Sequence, residues 1–177
     1  TGISAIKDLG VTHVELLPIF DYASVDENSP TFNWGYDPMN YNVPEGSYSS
    51  DPKNPTARIT ELKSAIQAMH EQKLRVNMDV VYNHVYTASN FSQELIVPGY
   101  WFRTDESGNL TNGSGCGNDV ASERPMVRKF IVDSVKYWAS EYNLDGFRFD
   151  LMGLMDIETI NQATAALKKI DPTIIVI

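Results

Sequence analysis

Hydrophobic positions alternate along the chain between helical spacing and short apolar runs. Four segments show helical spacing: residues 3–9, 59–69, 125–138 and 157–170, and Asp156 is placed to cap the last of them. The four apolar runs, which are short enough for buried strands, are 13–19, 74–82, 145–151 and 173–177. Alternating helices and strands predict an α/β fold with a parallel sheet and right-handed crossovers.

The connections between these elements differ greatly in length. Helix-to-strand connections are short, as at Gln72-Lys73, whereas two of the strand-to-helix connections are long and cover 20–57 and 83–122. Connections of about 2–6 residues are usual in α/β units, and long ordered loops are usually functional. Both long loops follow the carboxyl ends of strands, where barrels and open sheets alike place their active sites. A doubly wound sheet stays open, although no glycine-rich phosphate turn follows a strand.

Composition narrows the class of protein. The 177 residues suit one domain, and 14 basic against 23 acidic residues give a net charge of −9, which disfavours a nucleic-acid surface. No run reaches the about 18 apolar residues of a membrane span. The single cysteine, Cys116, excludes an internal disulfide framework. Because the chain starts without Met and stops on a β-branched run, we expect it to be cut from a larger domain at both ends.

Two predicted strands end on polar residues. Asp79 and Asn83 alternate onto one face of an extended chain, where they could equally cap the strand end. Arg148 and Asp150 share a face of a central strand, and a charge pair there is costly unless it is paired or functional. In the functional interpretation Arg148 favours the ionised form of Asp150 and fixes its orientation, as a nucleophile needs. A purely structural ion pair is the alternative.

A third group of candidates lies in the first long loop. Residues 32–38 combine aromatic rings with Asn and Asp, which suits a sugar, because rings contact its C–H faces while polar groups bind its hydroxyls. The same rings could simply anchor the loop to the core. Elsewhere we expect His70 to be solvated and Cys116 not to act as a nucleophile.

Together these segments resemble a known family. Residues 79–84 and 146–150 look like two sequence regions of the α-amylase superfamily of glycoside hydrolases, and 33–38 resembles its α-1,6-debranching members. With 115–118 and 151–153, the similarity is strongest to the type I pullulanases, although Phe32 stands where these commonly carry Tyr. The resemblance implies a partial (β/α)8 TIM barrel of about strands 2 to 5, with 1–177 inside one catalytic domain.

The resemblance also implies roles for individual residues. Asp150 would be the nucleophile of a retaining reaction, and Arg148 would orient it. Tyr36 would be the stacking platform for the glucose at the cleaved linkage, and His84 would bind one of its hydroxyls. Three further residues would shape the pocket: Trp34, Asp37 and Met152. Asn83 matches a calcium ligand of many amylases, so Ca²⁺ is the metal ion to consider, and no cofactor is required.

The implied activity is hydrolysis of α-1,6 branch linkages in pullulan, starch or glycogen-type glucans. The family's general acid would follow Ile177, so we expect the chain alone to be inactive. We also expect it to aggregate, because about half of a barrel leaves strand edges and inner faces exposed. An isoamylase-like or cyclodextrin-cleaving relative is one alternative, and a non-catalytic glucan-binding homologue is another. The expected partner is an α-glucan, without nucleic acid or membrane insertion. The sequence does not determine a location in the cell.

Overall fold

Helices and strands alternate in the computed structural model, which describes residues 2–29 and 31–177. The helices are α1 Gly2–Asp8, α2 Pro55–Glu71, α3 Ser92–Ile96, α4 Pro125–Tyr142 and α5 Ile157–Ile170. The strands are β1 His13–Leu16, β2 Phe20–Tyr22, β3 Pro38–Pro44, β4 Arg75–Val80, β5 Gly146–Phe149 and β6 Ile175–Val176. No helix within the described ranges is long and apolar enough to cross a membrane.

The main sheet is parallel, as predicted. Its strands lie in the order β1-β4-β5-β6, and each pairs in parallel with its neighbour. The strands are shorter than the apolar runs that predicted them. After β1, Pro18 lacks the backbone N–H that a ladder needs. After β5, Leu151 adopts a left-handed conformation with φ of 46°, and the chain leaves the sheet.

The two faces of the central strands differ in chemistry. Val76, Met78 and Val80 of β4 are fully buried, as is Phe147 of β5, and all belong to the main hydrophobic core with residues of the helices. The alternate positions of the same strands carry polar side chains, which are Asn77, Asp79 and Arg148. Because side chains alternate across a strand, one face builds the core while the other directs polar groups toward the carboxyl ends.

The first long connection holds more regular structure than the sequence predicted. Within 20–57, strands β2 and β3 form an antiparallel two-stranded sheet, and within 83–122 the chain forms α3 and short bridges. The sequence pattern indicates no strand within 20–57, and the structure adds these two. A strand of three residues such as β2 is too short to show alternation in the sequence.

Aromatic rings fix both long connections to α4. This aromatic cluster consists of Phe20, Tyr41, Tyr82, Phe91, Trp101 and Phe130, whose neighbouring ring centroids lie 5.0–6.2 Å apart. Tyr41 is central, because its backbone C=O accepts a hydrogen bond from Trp138 Nε1 at 2.9 Å and its hydroxyl donates to the backbone C=O of His84 at 2.8 Å. Both long connections are therefore packed against the body of the domain.

The N-cap predicted at Asp156 is confirmed. Asp156 caps α5, since its carboxylate accepts a hydrogen bond from the Thr159 backbone N–H at 3.0 Å and also contacts Arg128 at 2.7 Å. The His70 side chain, expected to be solvated, is 32% exposed but also lies 2.7 Å from the Asp145 carboxylate, a contact that was not predicted from the sequence. Helical periodicity shows the face on which a residue lies, but not which strand end faces it.

A substitution at Gly146 tests how closely β4 and β5 pack. It pairs with Asn77, and a Cβ at Gly146 would lie 2.2 Å from Asn77 Oδ1. We expect Gly146→Ala to lower the free energy of unfolding by about 1–3 kcal/mol, because the buried Asn77 amide must be displaced. Urea unfolding of the complete catalytic domain measures the change. Gly153→Ala is the matched control, since a Cβ there meets nothing within 4 Å. Equal stabilities of the two variants would contradict the prediction.

Candidate active site

The polar residues singled out from the sequence meet at the carboxyl ends of β4 and β5. The parallel register pairs Asp79 with Arg148, so these two side chains leave the sheet side by side on its polar face. Asp150 follows β5 directly, and the chain after β4 brings Asn83 and His84 to the same place. The site therefore forms where two strands end together, as parallel α/β folds predict.

Arg148 lies between two carboxylates. Its Nη1 donates to Asp79 Oδ1 and Oδ2 at 3.0 and 2.9 Å, and to Asp150 Oδ1 at 2.9 Å. Hydrogen bonds between ionised groups are about twice as strong as neutral ones, so this contact limits the orientations of both carboxylates. The hydrogen bond with Asp79 raises the pKa of Arg148, which keeps the guanidinium positively charged.

Asp79 is the common anchor of the group. It is 3% exposed and accepts a hydrogen bond from the Tyr36 hydroxyl at 2.5 Å in addition to those from Arg148. Burial raises the pKa of Asp79, while the hydrogen bonds from Tyr36 and Arg148 act in the opposite direction. Burial and the contact with Asp79 also raise the pKa of Tyr36, so its hydroxyl remains a donor. The first long loop is thereby attached to β4 at the site.

Asn83 and His84 form the other side of the group. Asn83 Nδ2 donates to the Asp150 backbone O at 2.8 Å and to Asp150 Oδ2 at 3.1 Å, so both oxygens of the Asp150 carboxylate have a donor. The His84 ring nitrogens lie 2.6 Å from Asn83 Oδ1 and 2.8 Å from the backbone O of Tyr36. Burial lowers the pKa of His84, and a neutral imidazole donates to only one of these oxygens.

The remaining predicted pocket residues have contacts outside this group. Trp34 is 62% exposed and packs edge to face with Phe32, which is 77% exposed, with the two ring centroids 5.5 Å apart. The Asp37 carboxylate accepts a hydrogen bond from the Ser24 backbone N–H at 2.7 Å, which stabilises its own loop. Met152 lies in a short 3-10 helix after β5 and packs against the core.

A group of acidic side chains outside the candidate active site has the geometry to hold a cation. Among the described residues, one group of carboxylates has oxygens within 4.8 Å of one another, formed by Asp21, Glu27 and Glu45. Arg58 Nη2 already contacts Glu27 there at 2.7 Å, so a side-chain cation partly neutralises the group. Asn83 lies outside it, with its amide bonded to Asp150 and His84. Its role as a calcium ligand stays a prediction.

The sequence left Asp79 without an assigned role. Its alternation with Asn83 placed it on the right face, but its contacts with Arg148 and Tyr36 come from parts of the chain 69 and 43 residues away. No local signal reports such distant contacts. Chemically, the group presents an oriented carboxylate, Asp150, beside an aromatic ring and a neutral imidazole, which suits attack on a polar, uncharged substrate.

Comparisons with known proteins show what the chain is similar to. Residues 2–97 match the family model described as alpha amylase, catalytic domain. The chain is 54% identical to the pullulanase of Bacillus subtilis (strain 168) over 177 residues, which is 99% of this chain and 25% of that protein. It is similar to the crystal structure of an Anoxybacillus sp. LM18-11 pullulanase complexed with maltotriose, with 57% identity, a TM-score of 0.97 and coverage of 99% and 26% of the two chains.

A second solved structure shows the same similarity. A Paenibacillus barengoltzii pullulanase in complex with maltohexaose and α-cyclodextrin has 57% identity and a TM-score of 0.96, with coverage of 98% of this chain and 28% of that chain. The chain thus spans about a quarter of the length of the relatives it matches. These similarities identify the parallel sheet as part of a TIM barrel rather than a doubly wound sheet. The chain therefore belongs to the α-amylase catalytic-domain family.

Proposed function

We propose that the protein carrying this chain is a retaining glycoside hydrolase that cleaves α-1,6 branch linkages in pullulan, starch or glycogen-type glucans. The observation that carries the proposal is the Asp150 carboxylate, held by Arg148 Nη1 on one oxygen and by Asn83 Nδ2 on the other. Relatives named pullulanase support the α-1,6 linkage as the target. Residues 1–177 contribute part of one catalytic barrel domain.

In this reaction Asp150 attacks the anomeric carbon of the glucose at the branch. A bond forms between Asp150 and that carbon while the glycosidic C–O bond breaks, and a general acid protonates the departing oxygen. Water then hydrolyses the glycosyl-enzyme, which gives net retention. Retaining enzymes hold their two carboxyl groups about 5–5.5 Å apart, so the general acid, which the family resemblance puts after Ile177, would face Asp150 at that distance.

The neighbours of Asp150 fit a neutral sugar. The Tyr36 ring is fixed by its hydroxyl on Asp79 and offers a platform for the glucose at the cleaved bond. His84 would bind a hydroxyl of that glucose, for which one ring nitrogen must exchange its contact with the Asn83 or Tyr36 oxygen for the sugar. An uncharged glucan also meets no long-range repulsion from a net charge of −9. Trp34, Asp37 and Met152 would shape the more distant part of the pocket. The chemistry needs no cofactor, and Asn83 is the residue that would contact Ca²⁺ if the ion binds.

Asp150→Asn tests the nucleophile. In the complete catalytic domain we expect hydrolysis of pullulan to fall by at least about a thousandfold, because a carboxamide cannot form the glycosyl-enzyme, while the fold and glucan binding persist. Reducing-sugar release and circular dichroism measure the two effects. Asp133→Asn, an exposed aspartate on α4, is the matched control. Normal turnover by Asp150→Asn would refute the assignment, as would reducing sugar released by residues 1–177 alone.

The products formed from pullulan test the linkage. Cleavage of α-1,6 bonds gives maltotriose, whereas cleavage of α-1,4 bonds, as by a cyclodextrin-cleaving relative, gives panose. We expect maltotriose, measured by chromatography of the digest. Panose would reject the α-1,6 assignment, and glucan binding without any product would favour a non-catalytic homologue. Activity on glycogen with little on pullulan would indicate an isoamylase-like enzyme.

Two variants of Tyr36 distinguish the stacking of its ring on the sugar from the hydrogen bond of its hydroxyl to Asp79. Tyr36→Phe keeps the ring, so we expect KM for pullulan to change by less than about threefold, whereas Tyr36→Ala should raise it by about tenfold or more. The Phe variant also leaves Asp79 without one donor, which should lower the free energy of unfolding by about 1–3 kcal/mol. Steady-state kinetics and urea unfolding measure both effects. Equal KM values for the Phe and Ala variants would rule out the stacking role.

A further inference from the structure

The segment that carries Asn83 and His84 into the site lies beyond the last residue of β4, Val80. The sheet ladder therefore does not fix residues 83–85. Contacts from both long loops hold their backbone instead: the Val120 N–H donates to the Asn83 C=O at 2.9 Å, and the Tyr41 hydroxyl donates to the His84 C=O at 2.8 Å.

The Asn118 side chain provides two further hydrogen bonds to this segment, both to Val85. Its Oδ1 accepts a hydrogen bond from the Val85 backbone N–H at 2.9 Å, and its Nδ2 donates to the Val85 C=O at 2.8 Å. One side-chain amide thus pairs with both polar groups of a single residue, as a peptide of a neighbouring strand would. Asn118 is 2% exposed, so these contacts are shielded from water.

Asn118 is itself held firmly by its own loop. Its backbone C=O accepts a hydrogen bond from Ser114 Oγ at 2.9 Å. The next residue, Asp119, accepts hydrogen bonds from the backbone N–H groups of Gly113 at 2.7 Å and Ser114 at 2.9 Å. The loop around Asn118 is therefore closed on itself, and it can hold residues 83–85 in place rather than move with them.

We propose that Asn118 is a positioning residue, which fixes Asn83 and His84 relative to Asp150 through the backbone of Val85. The inference rests on the proposed function and deepens it. Asn83 Nδ2 contacts the Asp150 backbone at 2.8 Å, and His84 Nε2 lies 2.8 Å from the Tyr36 backbone O, so a shift of residues 83–85 disturbs both contacts. A misplacement of about 1 Å can cost about 100-fold in rate.

Asn118→Ala tests the proposal, with Asn112→Ala as the matched control. Asn112 is in the same loop and its Oδ1 accepts from the Gly117 N–H at 2.6 Å, without contact to residues 83–85. In the complete catalytic domain we expect Asn118→Ala to lower kcat on pullulan by about 10- to 100-fold with KM changed less than about threefold. Asn112→Ala should keep kcat within about twofold of the parent. Equal kcat values for the two variants would overturn the proposal.

Hydrogen–deuterium exchange gives a readout that needs no substrate. The Val85 amide should exchange faster in Asn118→Ala and at the parent rate in Asn112→Ala, because only the former removes its acceptor. Unchanged Val85 exchange in Asn118→Ala would refute the positioning role. If the parent protein leaves pullulan intact, the proposed function fails, and exchange still decides whether Asn118 fixes the segment.

A second variant covers the case in which Asn118→Ala does not fold, which circular dichroism detects. Asn118→Asp keeps the size of the side chain and the acceptor for the Val85 N–H, but an ionised carboxylate cannot donate to the Val85 C=O. We expect a folded protein with kcat lowered by about tenfold. A parent-like kcat in Asn118→Asp would overturn the proposal.

Discussion

The position of Arg148 between Asp79 and Asp150 is the interaction on which the rest of the site depends. The parallel register of β4 and β5 places Asp79 beside Arg148, and Asp150 follows two residues later on the same face. A buried carboxylate without a partner is costly, so Asp79 requires the guanidinium, and the guanidinium in turn holds Asp150. The cost of burying these three charged groups is offset because the guanidinium forms hydrogen bonds with both carboxylates.

The main hydrophobic core makes this charged group rigid. On the opposite face of the same strands, Val76, Met78 and Phe147 are fully buried among residues of the helices. Well-packed interiors resist small displacements, so the strands hold their polar side chains in a fixed register. Gly146 marks how closely β4 and β5 pack, since a Cβ there would collide with the Asn77 amide.

The two long connections complete the site from outside the sheet. The first is attached by the Tyr36 hydroxyl on Asp79, and the second by Asn118 on Val85. The aromatic cluster packs both against α4, with Tyr41 donating to the backbone of His84. Residues far apart in the chain thereby act as one group, which explains why elaborate loops at strand ends retain a defined geometry.

The sequence by itself determined the alternation of helices and strands, the parallel sheet, the cap at Asp156 and the face shared by Arg148 and Asp150. These follow from periodicities and short-range hydrogen bonding, which operate within a few residues. Only the tertiary structure decided the strands within 20–57, the pairing of His70 with Asp145, and the roles of Asp79 and Asn118 as anchors. Those contacts join segments more than 15 residues apart, and no local pattern encodes which partner a buried polar group will meet.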